Sequence, residues 1–241
     1  MVYLVLGAAG SGRREVLVDL IGDGLGEGDR PAVLISDQEQ ADVFEARLAG
    51  VGRWSQLPEN AIDAEFPQDA THVFIVTDGR RNPVDQIEAF KAWLAERSAE
   101  VARVFCVVDC KLAEKHTKLL AWFEACIYFS DVVLLNHRDG IPNKWVGDFR
   151  ARFEDKFYPC LFEYVKEGRV KNPALVLAPV ARRMSHIFDE QEWVVADEDD
   201  DEEDDEVEMK PEEDPYLERR AGGRRVHEIP HIEDFLPKTP A

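Results

Sequence analysis

The residues best suited to chemistry stand at the start of the chain. An apolar run, Val2-Tyr3-Leu4-Val5-Leu6, leads into Gly7-Ala8-Ala9-Gly10-Ser11-Gly12-Arg13-Arg14. Apolar residues at helical spacing follow: Val16, Leu17, Leu20 and Ile21. Phosphate cradles are spelled Gly-x-x-x-x-Gly-Lys-Ser/Thr, and Gly7 and Gly12 hold the two glycine positions. Glycines let backbone N–H groups face an anion, and the start of a helix adds partial positive charge. Arg13 stands in the lysine position, and Arg14 where a hydroxyl would ligate magnesium. The backbone pattern is kept while the reactive side chains are changed. Taken alone, these residues read equally as a Gly-rich turn that binds nothing.

Two later segments bear on that choice. His72-Val73-Phe74-Ile75-Val76 is an apolar run ending in Thr77-Asp78-Gly79, with Pro83 opening a helix beyond. Val132-Val133-Leu134-Leu135 delivers Asn136-His137-Arg138-Asp139. Ligands of open α/β folds bind at the carboxyl ends of parallel strands. A carboxylate such as Asp139 accepts from two adjacent donors, as the N1–H and exocyclic amine of guanine present, and adenine offers no such pair.

These segments need a sheet to hold them. Apolar runs at 2–6, 32–35, 72–76, 104–108, 132–135 and 174–177 read as strands. Between them lie helical faces: Val84, Ile87, Phe90 and Leu94; Leu112, Leu119, Phe123 and Ile127; Trp145, Phe149 and Phe153, with Pro142 near the start of the last. The alternation predicts an α/β fold over residues 1–183, a mostly parallel sheet flanked by helices in three layers.

Charge is unevenly placed. The chain has 241 residues and a formal net charge of −20. Eleven of the twelve residues 197–208 are acidic, so 184–214 reads as a disordered acidic linker that cannot fund a core. Residues 215–241 differ, with four arginines, a Gly pair and scattered Tyr216, Leu217, Ile229 and Phe235. They read as a disordered tail, as a docking peptide for a protein partner through 215–237, or as a segment that folds back with its arginines on the acidic run. The acidity excludes nucleic acid as a partner. No apolar run approaches the ~18 residues that span a bilayer, no leader is apparent, and the four cysteines lack a secreted-domain spacing. A cytoplasmic protein off the membrane is expected. Cys106 reads as a buried strand residue, the alternative being a Cys/His site with Cys110 and His116; no metal ligand set is predicted.

On these residues the chain resembles the CobW/HypB/UreG GTPases, a P-loop family whose members mostly deliver or insert metals. The resemblance covers about residues 1–180. Residues 7–14 fall on its phosphate loop, and Ser36-Asp37 on its Asn-Asp/Glu near magnesium. Thr77-Asp78-Gly79 with Pro83 falls on its Glu-Thr-Ser-Gly-x-x-x-Pro switch segment, Val107-Val108-Asp109 on its Val-Val-Asp stretch, and 136–139 on its Asn-Lys-x-Asp base reader. Asn172-Pro173 echoes a family Asn-Pro. The resemblance implies a P-loop NTPase-like fold and a site for GTP or GDP made by Gly7, Ala8, Ala9, Gly10, Ser11, Gly12, Arg13, Arg14, Asp37, Asp78, Gly79, Asn136 and Asp139. Its departures matter as much: Val76 replaces Glu, Asp78 replaces Ser, His137 replaces the base-covering lysine, and residues 37–76 lack the family's Cys-x-Cys-Cys motif. Magnesium would have to lean on Asp37 or Asp78.

The expectation is a GTP-binding protein with weak or absent hydrolysis, acting through conformation and partners. The alternatives are a non-enzymatic pseudo-GTPase scaffold whose C-terminal segment binds a partner, and an NAD(P)-dependent reductase on the strength of Gly7-x-x-Gly10-x-Gly12 and Asp37.

Overall fold

The computed structural model describes residues 1–189 and 214–238. Eight strands form one sheet: β1 (Val2–Gly7), β2 (Pro31–Ser36), β3 (Val51–Gln56), β4 (Ile62–Asp63), β5 (His72–Val76), β6 (Val101–Asp109), β7 (Val132–Asn136) and β8 (Leu161–Tyr164). Their order is β4-β3-β2-β5-β1-β6-β7-β8, parallel throughout except for β4 against β3. The helices are α1 (Arg13–Gly24), α2 (Pro83–Ala95), α3 (Cys110–Lys115), α4 (Leu120–Tyr128), α5 (Asn143–Glu154) and α6 (Pro173–Leu177).

Strand periodicity decides which layer each side chain joins. Val2, Leu4 and Leu6 enter one core with Cys106, Val108, Val133 and Leu135, under α2, α4 and α5. Tyr3 and Val5 enter the other with Phe105, Val107, Val132 and Leu134, under α1 and α6. Central strands buried on both faces read as continuous apolar runs, and five of the six expected strands lie where the runs do.

The sixth does not. Residues 173–177 form α6, because the Asn172 side chain accepts from the Leu175 N–H at 3.2 Å and Pro173 takes the first helical position. An N-cap followed by proline outweighs the strand preference of the apolar residues. The continuous face read through Leu112 and Leu119 is broken, α3 ending before His116 and a 3-10 turn (Thr117–Leu119) preceding α4.

The body extends past 183. Arg103, 1% exposed, donates to the carbonyls of Leu175, Val176 and Val180 at 2.8–3.0 Å. Arg183 pairs with Asp131 at 3.2 Å, and Asp131 also accepts from the Val104 N–H at 2.7 Å. Ser185 and Ile187 are buried.

Residues 214–238 lie on the domain as well. Ile232 and Leu236 are buried in the core beneath α2 and α4, and Tyr216 packs its ring against Tyr128 at 4.9 Å and Phe129 at 5.9 Å. Arg219 and Arg225 pair with Asp85 and Glu88 of α2. A segment whose composition reads as free tail is therefore attached to its own domain, and its described arginine pairs are with α2. Residues 190–213, most of the acidic linker, lie outside the described residues. Among the described residues no helix is long and apolar enough to cross a membrane.

Asp131 joins β6, Arg183 and the following chain with no exposure of its own, so removing it leaves the buried Arg183 guanidinium with Asp189 alone and takes the acceptor from the Val104 and Arg182 N–H groups. Asp131→Ala is expected to cost about 3–5 kcal/mol, read as a lowered urea midpoint with unchanged slope.

Candidate functional site

The loops after β1, β2, β5, β6 and β7 all open on one edge of the sheet, because those strands are parallel and in register. Gly7 sits beside Val107, and Asp109 beside Asn136. The loop from Gly7 to α1 turns through positive φ at Gly7 (138°), Gly10 (82°) and Gly12 (87°), a backbone path that L side chains resist. Gly12 ends it as the left-handed N-cap of α1.

The loop and the segment after β7 meet directly. Asn136 Nδ2 donates to the Ser11 carbonyl at 3.0 Å, and a Cβ on Gly12 would lie 2.4 Å from that same nitrogen and 3.5 Å from His137 Nε2. The His137 ring therefore lies over Gly12, with the Glu15 carboxylate also beside it. Asp139 is exposed just beyond. The Ser11 hydroxyl is wholly buried and has no hydrogen-bond partner among the described residues.

Arg13 and Arg14 are both engaged by neighbouring segments. Arg13, 4% exposed, donates Nη1 to the Thr77 carbonyl and Nη2 to Glu39 Oε1 at 2.6 Å. Arg14 donates to the Gln40 carbonyl at 2.6 Å and pairs with Glu39, Asp42 and Glu45. Glu39 also accepts the Gly79 N–H at 2.9 Å. Burial alone would push its pKa up, but Arg13, the Gly79 amide and Arg14 together hold it below the usual carboxylate range. The positions of Arg13 and Arg14 are legible from the motif; Glu39, the acidic anchor that holds them, belongs to no motif.

Gly79 presses on the glycine loop. Its carbonyl accepts the Ala9 N–H at 3.0 Å, and a Cβ there would lie 2.2 Å from that nitrogen. Asp78, preceding it, is held at both backbone groups by the buried Gln86 side chain, at 2.7 and 3.0 Å. Burial raises the Asp78 pKa, against the Arg80 amide and the Arg81 guanidinium 3.1 Å away. Asp37 is exposed, and it lines with Asp78, Arg81 and Trp54 a small cavity of about 40 Å³.

This donor set does not fit magnesium. The hydroxyl position is Arg14, Asp78 is engaged by Arg81, and among the described residues no three His, Cys, Asp or Glu side chains gather to hold a metal. Cys106 and Cys110 are fully buried, and burial together with Asp109 pushes the Cys110 thiol up to about 12.

No protein-family model matches the chain, and no curated protein matches it in sequence. Among solved structures it is similar to a Zn(II)-bound triple mutant of YjiA GTPase (TM-score 0.46) and to Zn(II)-bound YjiA GTPase from E. coli (TM-score 0.42), each at 16% identity. The alignments cover 75% of this chain and 65% of each YjiA chain, so the chain spans about 65% of their length.

His137 Nδ1 lies 2.9 Å from Asp109 Oδ2, while Asp109 Oδ1 caps α3 through the Leu112 N–H at 3.0 Å. The Asp109 hydrogen bond, opposed by burial, raises the His137 pKa above its ordinary 6.5. The pair's contribution to stability is complete between the ordinary carboxylate range and pH 6.5; it is lost as pH rises through the raised His137 value and as pH falls through the lowered Asp109 value. An NMR titration is expected to place His137 above 6.5 in the native chain and to return it toward 6.5 in Asp109→Asn.

Proposed function

We propose that the chain binds a guanine nucleotide at this edge of the sheet and hydrolyses it poorly. The observation that carries the reading is the Asn136–Ser11 hydrogen bond, which joins the glycine loop to the strand end bearing Asp139. The loop supplies backbone amides and the N-terminus of a twelve-residue helix. The partnerless Ser11 hydroxyl is a second sign, since buried polar groups ordinarily have partners. Asp139 is free at its exposed position to accept from the N1–H and exocyclic amine of guanine.

Hydrolysis has less support. Phosphoryl transfer needs charge and metal at the transition state, and losing one such group commonly costs ~10²–10³ in rate. Here the lysine and hydroxyl positions are both arginine, and both arginines are held by carboxylates of the segment after β2. This arrangement supports a protein that acts through conformation.

The second reading is a pseudo-GTPase scaffold that holds no nucleotide. It is favoured by the Gly79–Ala9 contact, which occupies a loop amide with the protein's own carbonyl.

Calorimetry with GTP and GDP separates the two. Saturable binding of both is expected, with magnesium changing the affinity little. Asp139→Ala should weaken it about 10–100-fold, the range for a hydrogen bond to a charged group. Absence of any binding heat at millimolar nucleotide, with or without magnesium, leaves only the scaffold.

A further inference from the structure

We propose that residues 214–238 form a strap that holds residues 77–82 closed on the phosphate loop, so that loosening the strap opens the loop. That an opened loop receives a guanine nucleotide rests on the reading above; the closure itself does not.

The strap grips the helix that follows the closed segment. Arg225, buried, donates Nη2 and Nε to Asp85 Oδ1 at 2.6 and 3.1 Å and also pairs with Glu88. Arg219 reaches the same Glu88 at 2.8 Å. Asp85 and Glu88 lie in the first two turns of α2, and between them stands Gln86. Gln86 is 1% exposed, and its amide both accepts the Asp78 N–H and donates to the Asp78 carbonyl. The next residue, Gly79, covers the Ala9 amide. A continuous series of contacts thus runs from Arg225 through α2 to the phosphate loop.

The far end of the strap touches the closed segment itself. Arg80 donates to the Pro237 carbonyl at 3.1 Å. The neighbouring Phe235 ring packs edge-on to His116 at 5.3 Å, and Ile232 and Leu236 are buried. Arg80, Arg81 and Asn82 form one wall of a cleft of about 360 Å³ whose other wall is Ile229, His231 and Ile232 of the strap.

Two arrangements follow from a single hydrogen bond. With Gly79 seated, the Ala9 N–H is occupied; an anion that takes this N–H requires Gly79 to withdraw. A ligand that binds only the withdrawn arrangement sees its affinity reduced by the fraction of chains that are open. The strap lowers that fraction by fixing α2 and Arg80. Its ion pairs are partly exposed on the α2 side, Asp85 at 45% and Glu88 at 26%, so the grip is of a strength that salt or a competing acidic surface can overcome.

The test is hydrogen exchange on the full-length chain without nucleotide, comparing native protein, an Arg219→Ala/Arg225→Ala double variant, and Glu88→Gln. The last alters only the domain side and keeps the fold if the double variant does not. Exchange across 8–12 and 77–82 is expected to rise about tenfold along with that of 214–238, and GTP affinity to rise by a similar factor. Unchanged exchange at 8–12 and 77–82 in the folded variants overturns the strap, whether or not 214–238 loosens, and so does equal GTP affinity in a protein that binds GTP. Faster exchange with no GTP bound at millimolar concentration retains the strap and removes the nucleotide reading instead.

Discussion

The buried carboxylate of Glu39 is the constraint on which the site depends. At 4% side-chain exposure it binds Arg13 and the Gly79 amide through one oxygen and approaches Arg14 at 3.6 Å through the other. A charge so buried is tolerable only when paired and hydrogen-bonded, and removing one partner of such a set is far costlier than the set is stabilising. Three loops therefore share one fate: the glycine loop after β1, the segment after β2 and the segment after β5. The arginines suit this role. A guanidinium presents several donors in a fixed plane, so Arg13 can satisfy Glu39 and the Thr77 carbonyl together, which a lysine ammonium does less rigidly.

The same node explains how the loop keeps its backbone path while its two arginines pair with another segment. The glycine conformations at 7, 10 and 12 are local properties and persist whatever the side chains do. The direction of Arg13 and Arg14 is a tertiary property set by Glu39, Asp42 and Glu45. Once those carboxylates hold the guanidiniums, positive charge over the loop comes from the start of α1, the backbone amides and the His137 ring over Gly12 when it is protonated. A phosphate can still be attracted by such partial charges, whereas a transition state that accumulates charge needs more.

Legibility from sequence followed the range of the interactions. β1, β2, β5, β6 and β7 were legible because a strand buried on both faces must be apolar throughout. β3 and β8 were not: Val51-Gly52-Arg53-Trp54-Ser55-Gln56 and Leu161-Phe162-Glu163-Tyr164 lie toward the sheet's margins, partly exposed and mixed in polarity. The glycine loop and the strand end at Asn136 were legible as types and positions. Their meeting on one sheet edge was legible too, but not the particular Asn136–Ser11 bond that joins them across 125 residues. The strap was hidden for a similar reason. Its apolar residues follow no period, and the acids that receive Arg225 stand about 140 residues earlier, on a helix whose own pattern predicts only its inner face.

Glycine at position 79 shows how closure and opening can both be encoded in one residue. The approach to Ala9 is backbone to backbone, and no other side chain fits there without the segment standing off. A standing-off segment would leave the Ala9 amide uncovered in every chain, and the loop would have a single arrangement. With glycine, the covering carbonyl competes for the same N–H as an incoming anion. A charge-assisted bond to phosphate is roughly twice as strong as one to a neutral carbonyl, so the anion has the advantage at that atom. The closed form must then be favoured elsewhere, through Glu39, Gln86 and the strap on α2. The balance between a strong local bond and several distant ones makes the state of the loop responsive to what happens at the chain's other end.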